Sequence, residues 1–420
     1  MTSDHTQFDI LIVGGGLTGK MMALTLSYSG YKIGLMAPHP NNKGAFDRRS
    51  TTIHHAGHLM LDALAVADKL KDVITPITKI AVAVGKEKQQ QSQWLLQWHS
   101  RLSADNTAIP MAYVIENKDL NDAFQSALDE LPVAQQITVF NDTVTGYQDT
   151  GHAAHITTKS GQMIHAKMVI ACDGVKSQMR TFAGLSPRIE QTGQFAISTT
   201  MRCELPHAQS AYQRFLETGP IALMPLADNH ISLVWSTTQS HAEEMAKADN
   251  DSFSAAVTQA FGQELGALTV TEPLSVFPLR PHHNRYFTKG RLVLAGDAAH
   301  AIHPLAGMGY NLALADAAIL LDLLSDAKMM GLGADHPSIM SQYQKKRMIE
   351  VRAISQVTSH LNRLLSRQQN MIGQLISIGM AIIDKTAIKQ TFRDVAMGGT
   401  FLKARLFKGH LPSSHQADKA

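Results

Sequence analysis

Apolar positions recur with different periods along this chain, and the changes of period mark its elements. Phe8 to Val13 is a β-rich apolar run broken only by Asp9; GGGLTG follows, then the helix-like MMALTLSYSG, then the apolar YKIGLMA. Strand, glycine turn, helix and strand in that order predict a βαβ unit. A helix is expected over residues 54–71, then strands over 77–84 and 94–98 joined through the polar QQQSQ. Asn117 is placed to cap a helix running to Leu131, and strands follow at 137–140, 153–158 and 168–172, the last ending in Asp173-Gly174. From Gln194 to Leu279 the pattern alternates as strands and turns, most clearly at 195–201, 219–225 and 232–236. From Leu312 to about Leu406 it is mostly helical, and the tail SSHQADKA is polar. No internal repeat is visible.

The most informative stretch is RLVLAGDAAHAIHPLAGMGYNLALAD, from Arg291 to Asp316. Leu292 to Ala295 reads as a short buried strand that ends in Gly296-Asp297. A loop carrying Pro304, Gly307 and Gly309 then enters a helix at Asn311. A carboxylate at a strand's carboxyl end can accept hydrogen bonds from a polyol. Glycines before a helix bring bare backbone N–H groups to its positive end, which suits an electron-rich ring or an anion. The pairing of polyol acceptor and oxyanion-type cradle suits a flavin better than a nicotinamide. The earlier turn adds to this, because Gly14, Gly16 and Gly19 form G-x-G-x-x-G between strand and helix. Gly14 would permit the tight turn, Gly16 admit a pyrophosphate and Gly19 allow close helix–strand approach. The two nucleotide-type segments lie far apart, so the cofactor domain is expected to be discontinuous.

One element of that fingerprint is missing. An acidic residue about 20 positions on should hold a ribose, but the second strand ends in Ala37. Lys20 has two readings, a diphosphate contact or a solvent-facing side chain. Asp47-Arg48-Arg49-Ser50 offers the planar donor fork of arginine to a flavin edge or a phosphate; alone, such a pair is a solvated surface. Asp173-Gly174 is a carboxylate at the same sheet edge, or simply a turn. His300 and His303 flank the flavin-type loop and read as structural histidines, and His282-His283 as a loop pair.

Composition narrows the class without naming it. At 420 residues the chain holds two or three domains, with 44% hydrophobic and 17% charged residues as in ordinary folded proteins. A net charge of +3 without a sustained Lys/Arg run argues against nucleic-acid binding. The two cysteines, Cys172 and Cys203, lack metal-type spacing and read as reduced cytosolic thiols. No metal site is expected. The amino terminus does not read as a signal peptide, and no run of 18 apolar residues occurs. MIGQLISIGMAII, from Met371 to Ile383, comes nearest and is expected as a helix packed on the protein, with an interfacial membrane contact as the alternative. The expected location is cytoplasmic, with peripheral contact to the inner face of the membrane as an open addition.

With these pieces assembled, the chain resembles the flavin-dependent aromatic hydroxylases built like p-hydroxybenzoate hydroxylase, and within them the ubiquinone-biosynthesis hydroxylases. The resemblance covers nearly the whole chain. FDRRSTTI is similar to the family's early arginine segment, which would make Arg49 the flavin-side arginine. MAYVIENKDL is similar to the stretch opening its interdomain helix, and ACDGVKSQMR to its second motif, carrying Asp173 and Gly174. YQRFLETGPIALMPLADNHISLVWS resembles its substrate sheet. GDAAHAIHPLAGMGYN resembles its flavin motif, which implies Asp297 at the ribityl chain and Pro304, Gly307 and Gly309 around the isoalloxazine, with Gly296, Met308 and Asn311 also among the cofactor-binding residues. Here Met308 stands where the family usually has glutamine, Tyr310 replaces an aliphatic residue and Ala315 an arginine. With Ala37, these departures bear on FAD affinity.

The resemblance implies an α/β fold: a discontinuous Rossmann-like FAD-binding domain, an inserted mixed or antiparallel β-sheet substrate domain and a C-terminal helical region. Residues 1–75, 113–185 and 284–345 would form the FAD domain, 76–112 and 186–283 the substrate sheet, and 346–420 the helical region. It implies FAD as cofactor, O2 as co-substrate and NAD(P)H or a ferredoxin as electron donor. The reaction would be hydroxylation of a polyprenylated phenol by a flavin C4a-hydroperoxide, with other quinone-biosynthesis proteins as candidate partners. No protein general base is assigned, since the cofactor carries the hard chemistry. A second reading is a non-catalytic structural or lipid-presenting subunit of a quinone-biosynthesis assembly. A third, flavin-dependent halogenation, lacks its W-x-W-x-I-P segment, since the tryptophans of WLLQW are spaced otherwise.

Overall fold

The structure is a computed structural model that describes residues 6–38, 49–85, 94–103, 105–304, 307, 309–366 and 404–412. The opening apolar run forms the strand Thr6–Val13, followed by helix α1 (Leu17–Leu26) and the strand Ile33–Met36. The two strands pair in parallel, Ile10 opposite Ile33 and Val13 opposite Met36. All four residues of Ile33–Met36 are buried, as expected of a parallel strand covered on both faces. The first sheet runs from Thr138–Phe140 through Ile33–Met36 and Thr6–Val13 to Met163–Ala171. There it divides. The first half of Met163–Ala171 pairs antiparallel with Ala154–Thr158, and its second half pairs in parallel with Leu292–Leu294. A strand from near residue 292 thus lies beside one from near residue 170, so the cofactor-type domain is discontinuous as expected.

The region expected as one helix over 54–71 is two, α2 (His55–Ala63) and the short α3 (Ala67–Leu70). Ala65 between them has φ +57, a left-handed conformation that ends the first helix. Asn117 does not cap its helix. It is the first residue of α4 (Asn117–Asp129), whose N-cap Glu116 makes no side-chain cap. Its amide oxygen instead accepts from Thr51 Oγ1 at 2.5 Å, tying α4 to the strand Ser50–His54. Helix α5 (Gln178–Phe182) follows Asp173-Gly174, capped by Ser177.

The second sheet is ordered Leu268–Val270, Gln194–Cys203, His230–Thr238, Gly219–Pro225, Ser210–Leu216, Lys79–Val84, Leu96–His99. Its pairs are antiparallel except Ser210–Leu216 with Lys79–Val84. The stretch from Gln194 to Leu279 is not strands alone, because α6 (Gln239–Met245) and α7 (Asn250–Phe261) interrupt it. Thr238 and Asp249 accept from His241 N and Ser252 N and cap the two helices. Phe253, Val257 and Phe261 recur at helical spacing and pack with Ile197, Leu233 and Trp235 of the sheet.

After the third part of the first sheet, α8 (Gly309–Met329) and α9 (Pro337–Ser366) run in succession. Helices α1 and α8 pack together, and α1 also meets α4. Near Leu406 the chain is a short 3-10 turn, Arg405–Lys408, against α2 and not a continuing α-helix. The Met371–Ile383 segment lies outside the described residues. Among the described residues no helix is long and apolar enough to cross a membrane.

Candidate functional site

Three chain segments far apart in sequence meet at the carboxyl ends of the first sheet. At the first, a Cβ on Gly14 would lie 2.4 Å from Cys172 O, and one on Gly19 only 1.7 Å from Gly14 O. Both glycines are therefore demanded by close packing. Gly16 differs, since nothing lies within 4 Å of where its Cβ would be. It is the N-cap of α1, which carries no side-chain cap and no acidic residue in its first turn. The N–H groups there face open space beside a positive helix end, a cradle for a diphosphate. Lys20 is half-buried rather than solvent-facing, and its neighbouring charges are Asp122 and Asp129 of α4.

Beside the cradle lies a cavity of about 270 Å³ whose lining includes Gly14, Met36, Pro38, Asp142, Asp173 and Lys176. Ala37 at its edge supplies no carboxylate. Asp142 is already engaged, accepting from Thr143 N at 2.7 Å and Ser160 N at 3.2 Å. Asp173 is half free. Its Oδ2 accepts from Met179 N at 3.0 Å, while its Oδ1 is buried without a hydrogen-bond partner. That oxygen is the acceptor left for a sugar hydroxyl in this pocket. Gly174 takes φ +81, the turn conformation that frees the Asp173 end of the strand.

The second segment is the turn from Gly296 to Ala299. Gly296 has φ +56, and its missing Cβ would lie 2.7 Å from Thr18 Cγ2, so this turn rests on the first turn of α1. Side chains hold it from all sides. Asp316 accepts from Gly296 N at 2.7 Å, and His282 Nε2 donates to Asp297 O at 3.0 Å. Arg180 Nη1 and Asn284 Nδ2 both donate to Ala298 O, at 2.9 and 3.0 Å. His282 is therefore not in a loop: it lies in the strand His282–Asn284, paired with His300–Ala301. The Asp297 side chain stays exposed. Burial of its surroundings nevertheless pushes its carboxyl above the ordinary range, against the opposing charges of His300, His282 and Arg49. An accessible carboxylate ringed by protein is one on the floor of a cleft.

The third segment comes from the strand Ser50–His54 and the start of α8. A Cβ on Gly307 would lie 2.7 Å from Thr52 Cβ, and its φ is +63, so packing and backbone both require glycine. Asn311 is 7% exposed and its side chain is engaged with this strand, accepting from His54 N at 3.0 Å and donating to Thr52 O at 2.9 Å. It aligns the strand with α8. Gly309 opens onto space, with nothing within 4 Å of its Cβ position. Arg49, just before the strand, stands across the cleft from Asp297, its guanidinium 5.9 Å from the Phe277 ring of the second sheet. Met308 lies outside the described residues. Pro304 O accepts from Gly307 N at 3.4 Å. His303 contacts Gln194 Oε1 at 3.2 Å, and burial lowers its pKa to about 4, so it is neutral at pH 7.

The residues present fit FAD. A bare helix N-terminus, an orphaned acceptor in a sugar-sized cavity, a cleft-floor carboxylate and an open glycine at a second helix start follow one another along one sheet edge. Sequence reasoning missed Arg180, His282, Asn284, Asp316 and Arg347 as supports of this edge. Arg180 sat inside the motif ACDGVKSQMR, and Asp316 closed the stretch that begins at Arg291. Gly19→Ala tests the cradle: it should destabilise the fold by roughly 1–3 kcal/mol through overpacking and weaken FAD uptake, read by urea unfolding and flavin titration. Unchanged values in both would refute the helix–strand contact.

The chain matches the family model described as FAD binding domain over residues 7–358. It is 30% identical over 394 residues to the ubiquinone hydroxylase UbiL of Rhodospirillum rubrum, spanning 93% of this chain and 89% of that protein. It is 30% identical over 359 residues to the 3-demethoxyubiquinol 3-hydroxylase of Escherichia coli, spanning 83% and 87%. It also superposes on the p-nitrophenol 4-monooxygenase PnpA of Pseudomonas putida DLL-E4 with a TM-score of 0.78, over 96% of this chain and 99% of that one. At 16% identity that likeness shows a shared fold.

Proposed function

Since the chain belongs to the FAD binding domain family, alongside the ubiquinone hydroxylases, we propose that it is an FAD-dependent monooxygenase hydroxylating the aromatic ring of a polyprenylated phenol in ubiquinone biosynthesis. The observation that carries this reading is the junction of the glycine turn with the Gly296–Asp297 turn: Gly296 rests on Thr18, and the Asp297 carboxylate opens into the cleft beside it. When bound, FAD supplies the redox chemistry, taking electrons from NAD(P)H or a ferredoxin and activating O2 so that one oxygen atom reaches the ring.

The protein's own work is binding, orientation and exclusion of water. The N-terminal amides of α1 would hold the diphosphate, Asp173 Oδ1 would accept from the adenosine ribose, and Asp297 would accept from a ribityl hydroxyl. Gly309 lets backbone at the start of α8 approach the isoalloxazine, and Arg49 faces the same cleft from the other side. The second sheet brings Gln194 to His303 and Phe277 to Arg49, and would bound the space in which the phenol is held. The names of the two relatives support a quinone-pathway phenol as substrate.

The test is reconstitution of purified protein with FAD, followed by O2 consumption with a prenylated phenol. Asp297→Ala is expected to weaken FAD binding about tenfold or more, through loss of a charge-assisted hydrogen bond, and to abolish complementation of a deletion strain. Normal complementation by Asp297→Ala would favour the non-catalytic reading instead. The precursor accumulated by the deletion strain would identify the missing hydroxylation.

A further inference from the structure

Behind the cleft, and outside it, sits a fully buried polar cluster that the proposed chemistry does not use. Asp316 of α8 and Arg347 of α9 are both 0% exposed, and His300 is 2% exposed. Asp316 Oδ1 accepts from Arg347 Nε at 2.6 Å, while its Oδ2 accepts from Gly296 N at 2.7 Å and contacts His300 Nε2 at 2.9 Å. Arg347 also donates to Leu312 O at 2.9 Å and pairs with Glu350. A carboxylate here faces three groups, all of which can donate to it, and is the side chain that can accept from all of them.

The geometry points to Asp316 as a positioning residue for the cofactor carboxylate. We propose that Asp316, braced by Arg347, fixes the Ala295–Gly296 peptide through the Gly296 N–H and thereby sets where the Asp297 side chain meets FAD. The Gly296 N–H has Asp316 as its acceptor, while Ala295 N donates to Ala171 O, Ala299 N donates to Gly296 O, and the carbonyls of Asp297 and Ala298 are held by His282, Arg180 and Asn284. Loss of the Asp316 acceptor therefore frees one end of a turn whose other end stays held, a rotation that displaces Asp297 without unfolding the sheet. Helix α9, which does not reach the cleft through these groups, would then tune cofactor affinity through one buried guanidinium.

Asp316→Asn tests this directly. An amide has one acceptor oxygen and two N–H donors, so at least one of Gly296 N, His300 and Arg347 must face a donor. The expected result is an FAD dissociation constant raised about tenfold or more, with a changed visible circular dichroism band of the bound flavin. Asp322→Asn is the companion variant. Asp322 lies on α8 like Asp316, and the variant weakens its part-buried pair with Arg405 of the 3-10 turn, 3.0 Å long. It should lower the unfolding midpoint while leaving FAD affinity and the flavin spectrum as in the parent protein. If Asp316→Asn binds FAD as tightly as the parent with the same flavin spectrum, or if Asp322→Asn weakens FAD equally, the positioning role is overturned. The inference rests on the FAD reading. Failure of that reading would show in parent protein that takes up no FAD, which would take the proposal with it and is distinct from the other results.

Discussion

Arg347→Leu is expected to destabilise the protein by about 3–5 kcal/mol, the range for breaking a buried ion pair from one side. The reason lies in what it leaves behind. Burial alone would raise the Asp316 pKa, but the charges of His300 and Arg347 outweigh it and hold the carboxyl at about 2. Without the guanidinium the carboxylate keeps its burial and loses its ion-pair partner. Glu350, already raised by burial and held down by Arg347, loses its partner at the same time. The measurement is urea unfolding at pH 7 with a flavin-free sample, so that cofactor binding does not mask the loss. A change below about 1 kcal/mol, the range of surface ion pairs, would mean that water or repacking satisfies Asp316. The double variant Asp316→Leu/Arg347→Leu should recover part of the loss, because the fully buried carboxylate is removed together with its cation, while Glu350 still lacks a partner. Recovery should be incomplete, because Gly296 N keeps no acceptor.

The second large effect is acid sensitivity well above the carboxylate range. Burial lowers the pKa of His54 to about 4, against a backbone hydrogen bond that raises it, and burial does the same to His303 against the pull of Glu190. In the unfolded chain both titrate near 6.5. The folded values are depressed, so this stability is present above pH 6.5 and is lost as pH falls through 6.5 toward 4. Both rings are almost wholly buried, at 5% and 2% exposed. Each is then worth on the order of 3 kcal/mol across that window. Together these two rings contribute a slope approaching two protons, roughly 2.7 kcal/mol per pH unit, to the fall in unfolding free energy below about pH 6.5, and His55, His58, His207, His282 and His283, also lowered by burial, add to it. Asp316 does not contribute there, since it stays charged down to about pH 2. His54→Asn gives the internal check. His54 Nδ1 accepts from Gly57 N at 2.7 Å to cap α2, a role that asparagine can keep, so the variant should lose one proton of slope and little stability at pH 7. Equal stability at pH 7 and pH 5 in the parent protein would refute the assignment.

Where sequence reading succeeded, the signal was local. The βαβ unit, G-x-G-x-x-G and the strand entering Gly296-Asp297 each need only a run of neighbours, and each appears at its expected place. Helices α6 and α7 were passed over between clear strands, although Thr238 and Asp249 were legible caps and Phe253, Val257 and Phe261 of α7 recur at helical spacing. Asn117 shows the limit of a cap rule. A residue type that favours helix starts was drawn into a contact with Thr51, 66 residues away in sequence.

By itself the sequence determined the order of the elements, the two glycine-marked turns and the presence of a carboxylate at the end of the third cofactor segment, because backbone preferences and periodicity act over a few residues. Only the tertiary structure decided what those turns lean on. Thr18 beneath Gly296, Thr52 beneath Gly307, Arg180 and Asn284 on Ala298 O, and Arg347 on Asp316 are partners up to 278 residues apart. Buried polar groups must find partners wherever the fold brings them, and no local pattern encodes which distant donor will arrive. Asp297 was legible as the carboxylate; that its position depends on a guanidinium from α9 was not.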